Sequence, residues 1–135
     1  MMELEDFNIE QSVIKTLDIQ ITEYTKERVT ATMPVTPKTH QPMGLLHGGV
    51  SVVVAETVAS AGSYLFINPD THYAVGMEIN ANHIRSVSSG TITAVGVPLH
   101  IGRSSIIWDI KIHDDQDRLI CVSRCTMAVV ALPPK

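Results

Sequence analysis

Between Thr39 and Pro69 the chain carries a single formal charge, Glu56, set inside the apolar run Val50–Phe66. A carboxylate in a segment that must be buried is costly unless it is paired, hydrogen-bonded or protonated. Desolvation raises a carboxyl pKa, and groups perturbed in this way gather at functional sites. His47–Gly48–Gly49 lies just upstream. If the run is helical, Glu56 and Ser60 stand one turn apart on one face, with Ser63 on the next turn. Glycines at the helix entrance then expose backbone N–H groups, and the helix dipole adds positive potential to them. Together these residues offer a general base or nucleophile on the helix and an anion or oxyanion site at its start. The residues alone also allow plainer readings: a glutamate satisfied by local donors or turned to solvent, and a Gly–Gly that only permits a sharp turn.

Further polar candidates are Gln41, Asn80, Asn82 and His83. On an extended strand, residues 78, 80 and 82 share one face and 77, 79, 81 and 83 the other, which puts His83 on the more apolar side. A histidine there is more often structural than catalytic. His40, His47, His83 and His100 are too scattered in sequence to argue for zinc, and no metal site is expected. The chain has neither a glycine-rich phosphate loop nor a Gly-x-Ser-x-Gly elbow, so nucleotide-cofactor and serine-hydrolase chemistry are unsupported. Leu99–His100–Ile101–Gly102–Arg103–Ser104 places a glycine and an arginine in a connection suited to an anionic ligand, or to an ordinary turn.

The elements that must hold these residues follow from periodicity. Val13, Ile14 and Leu17 suit a short amphipathic helix. Leu17–Tyr24 and Arg28–Pro34 alternate as strands joined by a turn at Thr25–Glu27, and prolines punctuate Val35–Gly44 as loop. The run from His47 to Ile67 is long for a strand and normal for a helix; apolar nearly all round, it should be buried on most sides. Tyr73–Arg85, Thr91–His100, Ser104–His113 and Leu119–Val130 read as four further strands. Ser88–Ser89–Gly90 and Asp114–Asp117 supply turns, and Ile101–Gly102–Arg103 is a tight connection. Short links favour an antiparallel sheet. One long helix with five or six strands gives an α+β architecture, a sheet curled round the helix, in a single domain spanning 1–135.

Composition agrees. The chain has 135 residues, 44% hydrophobic and 18% charged, enough for a real core. Its net charge of −4 gives no reason to expect nucleic acid. No apolar run is long enough to span a membrane, and the acidic start at Met1–Asp6 argues against a signal peptide. Cys121 and Cys125 lack zinc-ligand spacing and read as reduced thiols, so a soluble cytoplasmic protein is expected.

Taken in order, His40–Gln41–Pro42–Met43–Gly44–Leu45–Leu46–His47–Gly48–Gly49, Glu56, Glu78–Ile79–Asn80–Ala81–Asn82–His83 and Pro98–Leu99–His100–Ile101–Gly102–Arg103 resemble the hotdog-fold acyl-CoA thioesterases. The likeness runs from about Val35 to Val130 and is strongest to the branch that includes bacterial 1,4-dihydroxy-2-naphthoyl-CoA thioesterase. Another branch carries an aspartate in the loop before the helix; here that loop has Gln41 and no aspartate. The resemblance implies a hotdog fold with Glu56 as catalytic nucleophile or general base and Gly48 N–H as oxyanion donor. Gln41 and His47 would position or polarise the thioester, and Ser60 would orient water or Glu56. His83 would contact the thioester region from a partner subunit. His83, Ile84, Arg85 and Ser86, with His100, Ile101, Gly102, Arg103, Ser104 and Ser105, match stretches that bind coenzyme A, with Arg103 suited to its phosphates. It further implies an acyl-CoA substrate with an aromatic or hydrophobic acyl group, no cofactor, and an active site lying between two subunits, hence a homodimer or a tetramer built from two dimers. Menaquinone biosynthesis and broad-range hydrolysis are both implied settings. Two competing functions are a hotdog dehydratase or hydratase and a non-catalytic acyl-CoA binder; the complete set of Gln41, His47–Gly48–Gly49 and Glu56 argues against both.

Overall fold

A computed structural model describes residues 2–135. Two short 3₁₀ turns, Leu4–Asp6 and Ile9–Gln11, lead into the one-turn helix α1, Val13–Thr16. Then come β1 (Gln20–Tyr24), β2 (Val29–Pro34), a 3₁₀ turn at Pro37–Thr39, the long helix α2 (Gly48–Ser63), β3 (His72–His83), β4 (Thr91–Ile101), β5 (Ser105–His113) and β6 (Leu119–Ala131). The strands form one antiparallel sheet in the order β1-β2-β4-β5-β6-β3.

The sheet turns one face onto α2, and period-2 alternation selects what meets it. On β5, Ile106, Trp108, Ile110 and Ile112 are fully buried; on β2, Val29, Ala31 and Met33 are. Val54, Val58, Ala55 and Ala59 cover them from the helix. Each such valine contributes about 1.5–3 kcal/mol by leaving water. Close approach depends on two glycines: a Cβ on Gly62 would stand 2.5 Å from the Trp108 ring, and one on Gly96 would stand 2.5 Å from Val58. The Trp108 indole N–H donates to Ser63 Oγ at 2.9 Å, and that hydroxyl donates to Ala59 O at 2.8 Å, so the buried indole is satisfied. Ser63 is therefore a core residue and does not continue the Glu56 face.

The helix is shorter than the apolar run suggests. His47 caps it, and after Ser63 the chain tightens into i→i+3 bonds from Tyr64, Leu65 and Phe66, which end it before Ile67. Among strand boundaries, β1 begins at Gln20 rather than Leu17 because Asp18, at φ 58°, turns the chain. β3 ends at His83, so Ile84 and Arg85 lie outside it, and β4 extends to Ile101. A bulge between Gly76 and Glu78 moves Met77 off the face it was expected to share with Ile79, and it is 61% exposed. Among the described residues no helix is long and apolar enough to cross a membrane.

Candidate active site

The start of α2 is built by its own loop. His40 pairs with Leu46 in a β-bridge, Gln41 N–H donates to Leu45 O, and His47 N–H donates to Thr39 O. Gly44, at φ +78°, closes the turn. This folds Gln41 back beside the helix entrance, where its side-chain oxygen accepts Met43 N–H. The oxygen is thereby engaged and the amide NH₂ remains free to donate. His47 Nδ1 accepts Gly49 N–H at 2.9 Å, a side-chain N-cap. That bond fixes the proton on Nε2, which can donate outward. Gly48 N–H has no partner among the described residues. It is an orphan donor at the positive end of a sixteen-residue helix. The same chain's His83 lies directly over it: a Cβ on Gly48 would fall 2.7 Å from His83 Nε2.

Glu56 lies farther along α2, on the flank of the helix that meets β3 and the N-terminal segment. With Val52, Val53, Thr57 and Ser60 it floors a cavity of about 410 Å³ and is the only charged residue lining it. The carboxylate is half-buried rather than enclosed and makes no hydrogen bond or ion pair among the described residues. Ser60, one turn on, likewise has a free hydroxyl. Glu56 rests against Gly76 of β3, where a Cβ would come within 2.6 Å of Oε2. Its charge reaches Cys125 on the neighbouring strand β6: burial first, then Glu56 and Glu78, push the Cys125 thiol up to about 12. Both cysteines are buried free thiols. Gly76 escaped the sequence reading, although an isolated glycine inside a strand is the usual mark of a close approach or bulge.

The residues expected to act together do not all meet within one chain. Eight residues of α-helix separate Gly48 from Glu56, about 12 Å along the axis at 1.5 Å per residue, whereas a reacting carbonyl needs both groups within hydrogen-bond reach. The expectation that the entrance glycines serve the Glu56 of their own helix therefore fails on geometry. The two coenzyme A stretches are separated as well. Ile84 and Arg85 both donate to Ile120 O, at the start of β6, and Ser86 follows as exposed coil. His100 and Ile101 end β4 after a bulge at Leu99; Gly102 N–H donates to Ser105 O, Ser104 O accepts Val129 N–H, and Ser105 pairs with Ala128 near the end of β6. From Cys121 to Ala128 is roughly 22–24 Å of strand, so the two stretches sit at opposite ends of the sheet. Arg103 is exposed and makes no ion pair among the described residues. Asn80 and Asn82 face outward, and Asn80 donates to Glu78 Oε1 at 3.1 Å.

A six-stranded antiparallel sheet around one helix, with a free carboxylate on that helix and a free N–H at its start, defines a class. A model of the thioesterase superfamily matches residues 43–121, and the chain belongs to that family, the hotdog-fold thioester hydrolases. Among named relatives, the chain is 51% identical to a Bacillus subtilis protein named as an esterase, ComA2, over 91% of this chain and 98% of that one. It is 48% identical to the 1,4-dihydroxy-2-naphthoyl-CoA hydrolase of Listeria monocytogenes, over 85% of this chain and 93% of that one. The crystal structure of a mutant of thioesterase PA1618 from Pseudomonas aeruginosa superposes with a TM-score of 0.92 at 44% identity, covering 98% of this chain and 96% of that chain.

Proposed function

We propose that this thioesterase is cytoplasmic and hydrolyses coenzyme A thioesters of aromatic or hydrophobic acids, 1,4-dihydroxy-2-naphthoyl-CoA among them, using Glu56 as nucleophile or general base. The observation that carries this reading is the unpartnered Glu56 carboxylate as sole charge of an otherwise largely apolar cavity. A thioester has a good leaving group, so one carboxylate with oriented donors suffices for its hydrolysis. The Listeria relative, at 48% identity, supports the naphthoyl substrate. The test is thiol release from a panel of aromatic and aliphatic acyl-CoAs; no turnover on any of them would refute the reading.

The acting unit is a pair of chains joined along β3. That strand has twelve residues, one neighbour, no proline and no lysine, and an edge of this kind is a template for pairing. The opposite edge, β1, is five residues long and bulged. Antiparallel pairing of two β3 strands about Ile79–Asn80 sets Gly76 of one copy beside His83 of the other. Glu56, which rests on Gly76, then meets the Gly48 N–H that lies under the other copy's His83. The same two-fold brings the Arg103 turn of one copy to the end of the sheet where residues 84–86 of the other emerge. Sedimentation should therefore give a dimer or a multiple of it, and a stable, active monomer would contradict the shared site.

Arg103 is assigned to the nucleotide end of coenzyme A, where a guanidinium pairs with phosphate. Arg103→Ala should raise KM about tenfold for an acyl-CoA, with kcat little changed, and leave the KM of the matching acyl-pantetheine alone. Equal effects on both substrates would remove Arg103 from the phosphates.

A further inference from the structure

The cavity floored by Glu56 has a roof that comes from outside the matched family stretch. Phe7, Ile9, Val13 and Ile14 cover it from above, joined by Ile21 of β1, whereas the family match begins at residue 43. The roof is anchored at its two ends. Phe7 packs edge-on against Tyr64 at 5.5 Å between ring centroids, and Ile14 O accepts Ile19 N–H at 2.9 Å. Between these anchors, the hydrogen bonds of residues 7–12 are all local: Phe7 N–H to Leu4 O, Ile9 N–H to Phe7 O, Ser12 N–H and Oγ to Ile9 O, and Thr16 N–H and Oγ1 to Ser12 O. Side-chain packing alone holds that span over the helix.

We propose that this N-terminal segment is the wall that selects the acyl group, with Ile9 as its principal size-determining residue. The inference rests on the thioesterase reading and adds to it where the acyl group goes and what limits its size. The physical reason is continuity: a thioester carbonyl attacked by Glu56 must have its acyl substituent beside that carboxylate, and the adjoining space is the open-sided cavity between α2 and residues 7–14. At about 410 Å³ it falls within the range of about 300–1,000 Å³ usual for small-ligand sites. Its surface is mostly aliphatic side chains, with Phe7 as its one aromatic, so the class accepted is an apolar acyl group. Thr57 does not alter this, because its hydroxyl already donates to Val53 O at 2.7 Å. A wall held only by packing admits or rejects an acyl group by the space its side chains leave, and a single methylene in such a pocket is worth about tenfold or more in selectivity.

The experiment is a linear acyl-CoA series from butyryl to palmitoyl, assayed with the full-length wild type and with Ile9→Ala and Ile9→Phe. The ratio of kcat/KM for the longest to the shortest substrate should rise about tenfold in Ile9→Ala and fall about tenfold in Ile9→Phe. Opposite displacements are the signature of a wall, since a residue needed only for folding moves every substrate in the same direction. If one variant does not fold, Val13→Phe replaces it, with the ratio expected to fall. Ratios unchanged in the folded variants overturn the roof assignment while leaving the thioesterase reading intact. A wild type that cleaves no member of the series or of the aromatic panel overturns the thioesterase reading, and the roof assignment with it.

Discussion

Glu56→Gln is expected to lower kcat for acyl-CoA hydrolysis by about 10⁴-fold, the upper end of what a positioned acid–base group supplies. The amide keeps the size of the carboxylate and can rest on Gly76 as Glu56 does. It can neither accept a proton from water nor attack a carbonyl. The wild-type carboxylate has no ion pair or hydrogen bond among the described residues, so the substitution strands no partner. The melting temperature should move little, which separates lost chemistry from lost fold. Steady-state thiol release and a thermal melt on the same preparation check both halves. Retained turnover in Glu56→Gln would end the role assigned to the carboxylate.

Gly48 gives the second large effect. Proline there removes the free N–H and little else from the backbone: Gly48 is the first helical residue, where proline is well tolerated, and His47 at φ −67°, ψ 128° already has the extended conformation required before proline. Any side chain at this position meets His83, since a Cβ would lie 2.7 Å from Nε2, so Gly48→Ala is the matched control that adds the Cβ and keeps the donor. Relative to Gly48→Ala, Gly48→Pro should lose about 10²–10³ in kcat, the usual effect of one oxyanion donor, with the loss in kcat rather than KM. Equal rates for the two variants would remove Gly48 N–H from the reaction.

Much of this site was legible in the sequence. The lone charge in an apolar run identified Glu56, and periodicity placed Ser60 beside it; the cavity confirms that they share a face. The glycines before the helix marked an open N-terminus, and Gly48 has the free donor expected there. Ser63 was misread because 3.6-residue spacing does not reveal where the sheet curls over the end of the helix, and there it holds Trp108. On β3 only Met77 was misassigned, because the bulge after Gly76 takes it out of the alternation that residues 78–83 keep as the spacing predicts. The 3₁₀ turn at Ile9–Gln11 had no period long enough to read, yet its Ile9 helps roof the cavity. The pairing of Gly48 with the Glu56 of its own helix was a reading from proximity in sequence; helical rise sets the two about 12 Å apart.

The central claim is that one chain supplies Glu56 and another supplies Gly48 to a single site, and complementation between inactive chains tests it most directly. Glu56→Gln and Gly48→Pro chains, each nearly inactive alone, are co-expressed in equal amounts and purified together. Half of the randomly assorted dimers are mixed, and each mixed dimer holds one intact site of two, so thiol release should recover to about one quarter of the wild-type rate per chain. A mixed sample no more active than the average of its two parents would contradict the shared site.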